Sequence, residues 1–158
     1  MNALILCVGK LKERWQKEAC EEYRKRLTRY GNVEITELED EGEPDRPSEA
    51  LVRKTLEREG QALMRRIRPG DRVVALCIKG NAPDSVALAR LIEDWQMDGR
   101  RLVLVIGGSL GLSDEVVKRA DYRLSFSNMT FPHTLMRVIL LEQIYRAARI
   151  TAGERYHK

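Results

Sequence analysis

The chain has 158 residues, of which 43% are hydrophobic and 33% charged, so it is long enough to bury a core as one domain over residues 1–158. No apolar run approaches the roughly 20 residues of a membrane-spanning helix. The apolar start lacks the basic segment and cleavage pattern of a signal peptide, and we expect a strand there instead.

The net charge of +4 is unevenly distributed along the chain. Residues 10–30 carry eight Lys or Arg and four Glu, whereas residues 34–49 carry eight acidic residues and one Arg. An uneven, mildly basic surface suits a polyanionic partner such as nucleic acid. Solvated helix faces have a similar composition, so the charge pattern by itself leaves both interpretations open.

The three cysteines (Cys7, Cys20 and Cys77) are odd in number, far apart and without a C-x-x-C spacing. This pattern argues against a disulfide framework and against a zinc site. We therefore expect buried, unreactive thiols in a reducing cytoplasm and no metal.

The first strand and helix follow from hydrophobic spacing. Asn2 to Val8 is a continuous apolar run typical of a buried strand. From Glu13 to Tyr30 apolar residues recur four positions apart, at Trp15, Ala19, Tyr23 and Leu27. This spacing predicts an amphipathic helix, and Gly31 fits its C-terminal cap.

The next elements are a strand, a loop and a helix. Residues 33–38 alternate between apolar and acidic side chains and predict a second strand. Residues 39–47 form an acidic, proline-containing loop. Ser48 then caps a second helix, whose apolar positions include Leu51, Leu56, Leu63 and Ile67.

The second half of the chain continues the alternation. Strands are predicted at Arg72–Ile78, Leu102–Ile106 and Tyr122–Phe126, with a helix capped by Asp84 or Ser85 after the first of them. A long apolar helix covers 133–150. Short apolar strands that alternate with helices predict an α/β fold with a parallel sheet covered on both faces.

The strongly apolar fourth strand runs directly into Gly107-Gly108-Ser109-Leu110-Gly111, which we call the glycine turn. In open α/β sheets, ligands bind at such strand exits. The P-loop pattern is absent, and a dinucleotide fingerprint would follow an early strand with different spacing. A tight turn that binds no ligand remains an equal alternative.

A second loop, residues 128–133, leads into the last helix. Pro132 suits the first turn of that helix, where its missing N–H costs nothing. A lone histidine such as His133 is by default a capping or packing residue. The mixture of Met, Thr, Phe and Pro nevertheless suits an aromatic ring and a ribose held in a loop.

The helix over 133–150 has few polar positions. Glu142, Arg146 and Arg149 fall on one stripe, and Arg137 falls on the opposite, apolar side. A helix that covered only its own sheet would have a wider polar face, so we expect a second buried face against another copy in a symmetric dimer. Arg137 needs an anionic partner, either a structural carboxylate or a substrate phosphate.

The chain closes with Tyr156-His157-Lys158. Such an end usually frays. A tyrosine, a histidine and a lysine are, however, groups suited to contact with a nucleobase and its phosphate.

Together these segments resemble the ribosomal RNA large subunit methyltransferase H family, the small single-domain branch of the SPOUT methyltransferases. The resemblance covers the whole chain. The segments that carry it are Leu104–Ser113, Leu124-Ser125, Met129–His133, Arg137-Val138, Glu142–Ala147 and Tyr156-His157-Lys158.

The resemblance implies a homodimer that transfers a methyl group from S-adenosyl-L-methionine to N3 of a pseudouridine in a 23S rRNA stem-loop of the assembled 70S ribosome. It also implies a trefoil knot over about 102–150, followed by a C-terminal tail over 151–158. Neither a metal nor a membrane is implied. A non-catalytic ribosome-binding assembly or silencing factor on the same fold is the alternative, and the misplaced glycines disfavour a nucleotide-dependent oxidoreductase.

The same resemblance implies a cofactor site, which comprises Leu76, Gly108, Asn128, Met129, Thr130, Phe131, Pro132 and His133. This chain departs from the family at Cys77, where an acidic residue is frequent.

For the proton on N3 the candidate bases are His157, His133 and Glu142. We favour His157 from the partner's tail, with Tyr156 stacking or hydrogen-bonding and Arg137 stabilising charge or phosphate.

Overall fold

The computed structural model describes residues 1–42 and 45–158, and the predicted acidic loop over 39–47 lies partly outside the described residues. Strands and helices alternate in the predicted order. The described strands are β1 Asn2–Val8, β2 Asn32–Leu38, β3 Arg72–Asn81, β4 Leu102–Ile106 and β5 Tyr122–Leu124. The described helices are α1 Arg14–Leu27, α2 Glu49–Met64, α3 Ser85–Met97, α4 Asp114–Arg119 and α5 His133–Thr151.

The strands form one parallel sheet in the order β2-β1-β4-β3-β5, which confirms the predicted fold class. Because all strands point the same way, their carboxyl ends lie along one edge of the sheet. β4, β3 and β5 are neighbours, so the segments that follow them meet at that edge. This arrangement brings together three strand exits that are far apart in sequence.

Both faces of the sheet are covered, and the pleat of β1 divides its side chains between them. Ile5 and Cys7 pack in a core with α1, α3 and α5. Leu6 and Val8 point the other way, into a core with α2 and α4. The five residues of β4 are all buried. A strand that is buried on both faces has no polar alternation, which explains the continuous apolar runs in the sequence.

The predicted buried face of α1 is wrong at its start. Trp15 is 53% exposed, whereas Gln16 and Cys20 are buried. A four-residue repeat advances by about 400° at 100° per residue, so its positions drift around the helix by about 40° each time. Trp15 and Leu27 therefore cannot share one narrow face. The amide of Gln16 donates instead to the hydroxyl of Thr134, at 3.1 Å.

Several predicted boundaries shift. β3 extends to Asn81, beyond its predicted end at Ile78, and an irregularity separates its pairings with β5 at Leu76 and Asn81. β5 stops at Leu124. The predicted cap of α2 is confirmed, because the Ser48 hydroxyl accepts from the Leu51 N–H at 3.2 Å. No helix among the described residues has the length and apolarity to span a bilayer.

Candidate active site

A cleft of about 470 Å³ opens at the carboxyl edge of the sheet, where β3, β4 and β5 end. That volume lies within the range of small-molecule sites. Its wall is formed by residues 76–79 after the buried part of β3, by residues 106–112 from the end of β4 into the loop, and by side chains around the end of β5, on α4 and on α5. Those around and after β5 are Arg123, Leu124, Phe126, Ser127, Met129, Thr130, Phe131 and His133.

The glycine turn folds on itself beside the cleft. The Gly111 N–H donates to the Gly108 carbonyl at 3.0 Å, and Gly111 has φ of +86°. A Cβ on Gly107 would lie 2.2 Å from the Gly111 carbonyl oxygen, so only glycine fits there. The turn therefore needs its glycines for its own geometry, and that geometry lets its backbone line the cleft.

The segment after β5 is fixed to the exit of β3. The Ser125 N–H donates to the Asn81 carbonyl, and its hydroxyl donates to the Ile78 carbonyl, both at 2.8 Å. Ser125 is 3% exposed. Further along, Met129 is 69% exposed. The segment after β5 is thus fixed at Ser125 and open at Met129, at the mouth of the cleft.

The cleft brings together six of the eight residues predicted to bind the cofactor, and these are Leu76, Gly108, Met129, Thr130, Phe131 and His133. Asn128 and Pro132 belong to the same loop but do not line the cleft. Apolar side chains and the backbone of the glycine turn suit an aromatic ring with polar edges. The residues present therefore fit the predicted cofactor, although binding itself stays a prediction.

Other lining residues were not predicted. Ile78 and Lys79 follow Leu76 along β3, Phe126 follows β5, and Met136 lies one turn into α5. Cys77, where the resemblance implied an acidic residue, also lines the cleft and is half-buried, not fully buried as expected. Burial raises the pKa of the Cys77 thiol, so the thiol is neutral near pH 7 and cannot substitute for a carboxylate. Their position next to a predicted strand exit was the sequence signal from which these cleft residues could have been predicted.

His133 lies between the cleft and the exits of β1 and β2. Its Nε2 would be 3.1 Å from a Cβ on Gly9, and the Asp40 carboxylate lies on the same side. Burial lowers the pKa of His133, the Arg137 guanidinium lowers it further, and Asp40 opposes them. The imidazole is therefore predominantly neutral near pH 7, and a neutral ring can accept a proton.

Arg137 is buried to 1% exposure on the inner side of α5. Its Nη1 forms an ion pair with Glu37, and its Nη2 donates to the Gly9 carbonyl at 2.9 Å. Of the two partners expected for this residue, the structural carboxylate is the one present. Arg137 therefore connects α5 to the ends of β1 and β2, and a direct role toward substrate stays a prediction.

Tyr156 does not fray, in contrast to the usual behaviour of chain ends. Its ring packs edge-on against Tyr145 with centroids 5.0 Å apart, and its hydroxyl donates to Glu142 at 3.2 Å. Burial, followed by the charge of Glu142, raises the pKa of Tyr156 to about 12. The Glu142–Arg146 pair predicted from spacing is confirmed at 2.6 Å. None of the tail residues lines the cleft of its own chain.

His157 is exposed, and its Nδ1 lies 3.4 Å from Nη1 of Arg146. A guanidinium only donates, so Nδ1 accepts in this contact and the ring proton is assigned to Nε2. A ring in that state has no free lone pair on Nε2. His157 must therefore leave Arg146 or change tautomer before it can take a proton through Nε2.

Among the described residues, no group of three or more His, Cys, Asp or Glu side chains is placed to hold a metal ion.

Comparisons with known proteins found relatives that align with nearly the full length of this chain. A family model described as a predicted SPOUT methyltransferase matches residues 1–157. A ribosomal RNA large subunit methyltransferase H from Clostridium novyi (strain NT) is 54% identical over 159 aligned residues, with 100% of both chains covered. Proteins of the same name from Bifidobacterium animalis subsp. lactis and Clostridioides difficile are 52% and 50% identical, again over 100% of both chains.

Among solved structures, the A. aeolicus TrmH/SpoU tRNA modifying enzyme is similar with a TM-score of 0.51. The identity is 17%, and the match covers 97% of this chain and 78% of that one. This likeness concerns the fold alone, and the knot over 102–150 stays a prediction. The match of the family model and the full-length relatives together show that the chain belongs to the SPOUT methyltransferase family.

Proposed function

We propose that this chain methylates N3 of a pseudouridine in a 23S rRNA stem-loop of the assembled ribosome, with S-adenosyl-L-methionine as the methyl donor. The observation that carries the proposal is the full-length identity of 50% or more to large-subunit rRNA methyltransferases. The cleft supports it, because it joins the exits of three neighbouring strands and contains most of the residues expected to hold the donor. The cytoplasm, where ribosomes are found, is the proposed compartment.

The cofactor would be held by Leu76, Gly108 and the second loop, with apolar side chains against its adenine and backbone groups at its polar edges. When bound, it supplies an electrophilic methyl group on a sulfonium. The protein's own contribution is to shape the cleft and to hold the accepting nitrogen in line with that methyl. Such positioning supplies a large part of the rate of reactions between two bound partners.

N3 of pseudouridine lies between two carbonyl groups and carries a weakly acidic proton, which must leave before or during methyl transfer. A positioned base contributes about 10²–10⁴-fold in such steps. His157 from the partner's tail is the proposed base, with His133 as the alternative inside the cleft. Glu142 is less suited, because Arg146 and Tyr156 occupy its carboxylate.

The proposal for His157 requires a dimer, because His157 does not line its own cleft. Partly exposed apolar side chains on α5 and the exposed Trp15 leave apolar surface for a second copy to cover. A two-fold axis across α5 would direct the tail of each protomer toward the start of the partner's α5, where the second loop lies.

Substrate binding is assigned to the basic stretch over 10–29, which neighbours the cleft through the Gln16–Thr134 hydrogen bond. Its exposed Lys and Arg side chains suit the phosphates of rRNA. The described elements form one sheet with its covering helices. We therefore expect recognition of an assembled ribosomal surface and poor methylation of free rRNA.

The test is incubation of 70S ribosomes, separate subunits and free rRNA with radiolabelled cofactor, followed by mapping of the modified nucleoside. The expected result is one labelled N3-methylpseudouridine in 23S rRNA of 70S particles. Label at another base would contradict the proposed substrate. Absence of both label and cofactor binding by calorimetry would favour the non-catalytic ribosome-binding alternative.

The shared site has its own test, which uses two variants at a cofactor concentration that is too low for either of them to be active alone. Gly107→Ala disrupts the cleft but keeps the tail, and deletion of Tyr156-His157-Lys158 does the reverse. Random reassortment of an equal mixture should restore about a quarter of wild-type activity, because half of the dimers would have one complete site of two. A mixture that stays inactive after subunit exchange would contradict a site built from two chains.

A further inference from the structure

The end of α5 is a glycine-terminated turn that reverses the chain. Gly153 has φ of +67°, and its N–H donates to the Ile150 carbonyl at 3.0 Å. The next N–H, of Glu154, donates to the Arg149 carbonyl at 2.9 Å. These two bonds define a Schellman motif, which brings the residue after the glycine back beside the last turn of the helix. Glu154 is thereby placed next to Arg149.

Three side chains bind the Glu154 carboxylate. The Tyr30 hydroxyl donates to it at 2.5 Å, Nε of Arg149 lies 2.6 Å away, and Nη2 of Arg29 lies 3.0 Å away. Its side chain is only 23% exposed. The Tyr30 hydrogen bond, followed by the two guanidinium groups, holds the pKa of Glu154 below its ordinary value. The carboxylate is therefore charged at neutral pH and connects the tail to the end of α1.

The two residues after Glu154 are held on the same surface. Nη2 of Arg149 donates to the Arg155 carbonyl at 3.1 Å. The Tyr156 ring lies against Tyr145, and the guanidinium carbon of Arg146 is 4.7 Å from its centroid. By contrast, His157 and Lys158 are exposed, and the His157 ring lies 3.4 Å from the Arg146 guanidinium.

We infer that Glu154 is a positioning residue, which anchors residues 154–156 on their own chain and so fixes the point from which His157 extends. The surface to which they are anchored, here called the α1–α5 surface, comprises Arg29 and Tyr30 after α1 and Tyr145, Arg146 and Arg149 of α5. Tyr156 completes this anchor. The inference rests on the proposed function, because it assumes that His157 acts in a cleft. An anchored tail has already lost most of its conformational freedom, so only His157 and Lys158 have to be ordered when substrate binds. A free tail would have to order the whole segment at that moment.

The first test measures the anchor without reference to activity. Arg155 provides a trypsin site, and cleavage there requires the segment to leave the surface. Native trypsinolysis, with release of the C-terminal tripeptide followed by mass spectrometry, should be about tenfold faster in Glu154→Gln than in the wild type. Glu57→Gln, which changes an exposed carboxylate on α2, is the matched control and should leave the rate unchanged. An unchanged rate in Glu154→Gln would overturn the anchor.

The second test asks whether the anchor acts through His157. On 70S ribosomes, Glu154→Gln should lower kcat about tenfold and leave the KM for the cofactor within twofold. In a His157→Ala background the same change should have no further effect on kcat. A residue that acts only through His157 has nothing left to position once the imidazole is removed, so the two effects do not add. Equal effects in both backgrounds would show a merely structural role and overturn the positioning of His157.

Gly153→Ala provides an independent variant in case Glu154→Gln folds poorly. Among the described residues other than its chain neighbours, no heavy atom lies within 4 Å of a Cβ at Gly153, so the change strains only the backbone at positive φ. Gly153→Ala should also accelerate tripeptide release and lower kcat. The ratio of these two effects should be the same as in Glu154→Gln. Full activity of His157→Ala would refute the proposed base, whereas the trypsin result would still decide whether Glu154 anchors the tail.

Discussion

The cleft and the α1–α5 surface are built from different kinds of interaction. The cleft depends on backbone geometry, with a glycine turn that tolerates no side chain at Gly107 and a Ser125 that joins two strand exits. The α1–α5 surface depends on side chains. Tyr30, just after α1, donates to Glu154, and Tyr156 donates to Glu142 on α5. Backbone geometry suits a fixed ligand site, whereas side-chain contacts hold a segment that can also be released.

The change with the largest expected effect alters the C-terminal tail and leaves the cleft unchanged. Deletion of Tyr156-His157-Lys158 should lower methyl transfer by about 10²–10⁴-fold, the contribution of a positioned base. Cofactor affinity should stay within a few-fold, because these residues do not line the cleft. Methylation of 70S ribosomes and calorimetry with the cofactor measure the two quantities. Full activity after the deletion would remove the tail from the mechanism.

The converse change affects the cleft and leaves the tail intact. In Gly107→Ala the new methyl group would meet the Gly111 carbonyl oxygen, so the turn must move. We expect cofactor affinity to fall at least about tenfold and stability to fall by about 1–3 kcal/mol, as for other overpacked sites.

The control for the glycine turn is Gly70→Ala, where no heavy atom of the described residues beyond its chain neighbours lies within 4 Å of the added carbon. It should leave both calorimetric affinity and the urea midpoint unchanged. If Gly107→Ala bound the cofactor as well as this control, the glycine turn would not be part of the cofactor site.

A smaller effect is expected where α5 joins the ends of β1 and β2. Arg137→Met removes a buried guanidinium and leaves Glu37 and the Gly9 carbonyl without their partner. Breaking a fully buried pair costs about 3–5 kcal/mol, but the Glu37 side chain is 34% exposed, so we expect about 2 kcal/mol in urea unfolding.

Arg14→Gln is the control for Arg137, because it breaks an ion pair whose side chains are 91% and 62% exposed. Its cost should be below about 0.5 kcal/mol. If Arg137→Met kept wild-type stability but lost methyl transfer, the guanidinium would act on a substrate phosphate, the alternative to a structural carboxylate.

The smallest expected effect is the pH dependence contributed by His133. Its pKa in the folded protein is lowered from the ordinary value of 6.5, so the unfolded chain binds the proton more tightly. The contribution to stability is therefore complete above about pH 6.5 and is lost as the pH falls through the folded pKa. Urea titrations between pH 5 and 8 should show a shallower dependence in His133→Gln. An unchanged dependence would assign the effect to another group.

The sequence predicted the order of elements and the parallel sheet, and six of the eight residues expected at the cofactor line the cleft. Strands such as Leu102–Ile106 are recognisable because burial on both faces removes polar positions. The glycine turn was recognisable because glycine geometry is local. The prediction was wrong for Trp15, because helical drift and the polar contact between Gln16 and Thr134 decide which side of α1 is covered.

What the sequence determined by itself is therefore local: hydrophobic period, caps, turns and the two loops that follow β4 and β5. Only the tertiary structure decided which strand exits are neighbours, because the order β4-β3-β5 depends on long-range pairing. Tertiary contacts also selected the partner of Arg137 and placed Glu154 beside Arg29 and Tyr30. An ion pair between distant residues has no periodic signal, since only folding determines which opposite charges meet.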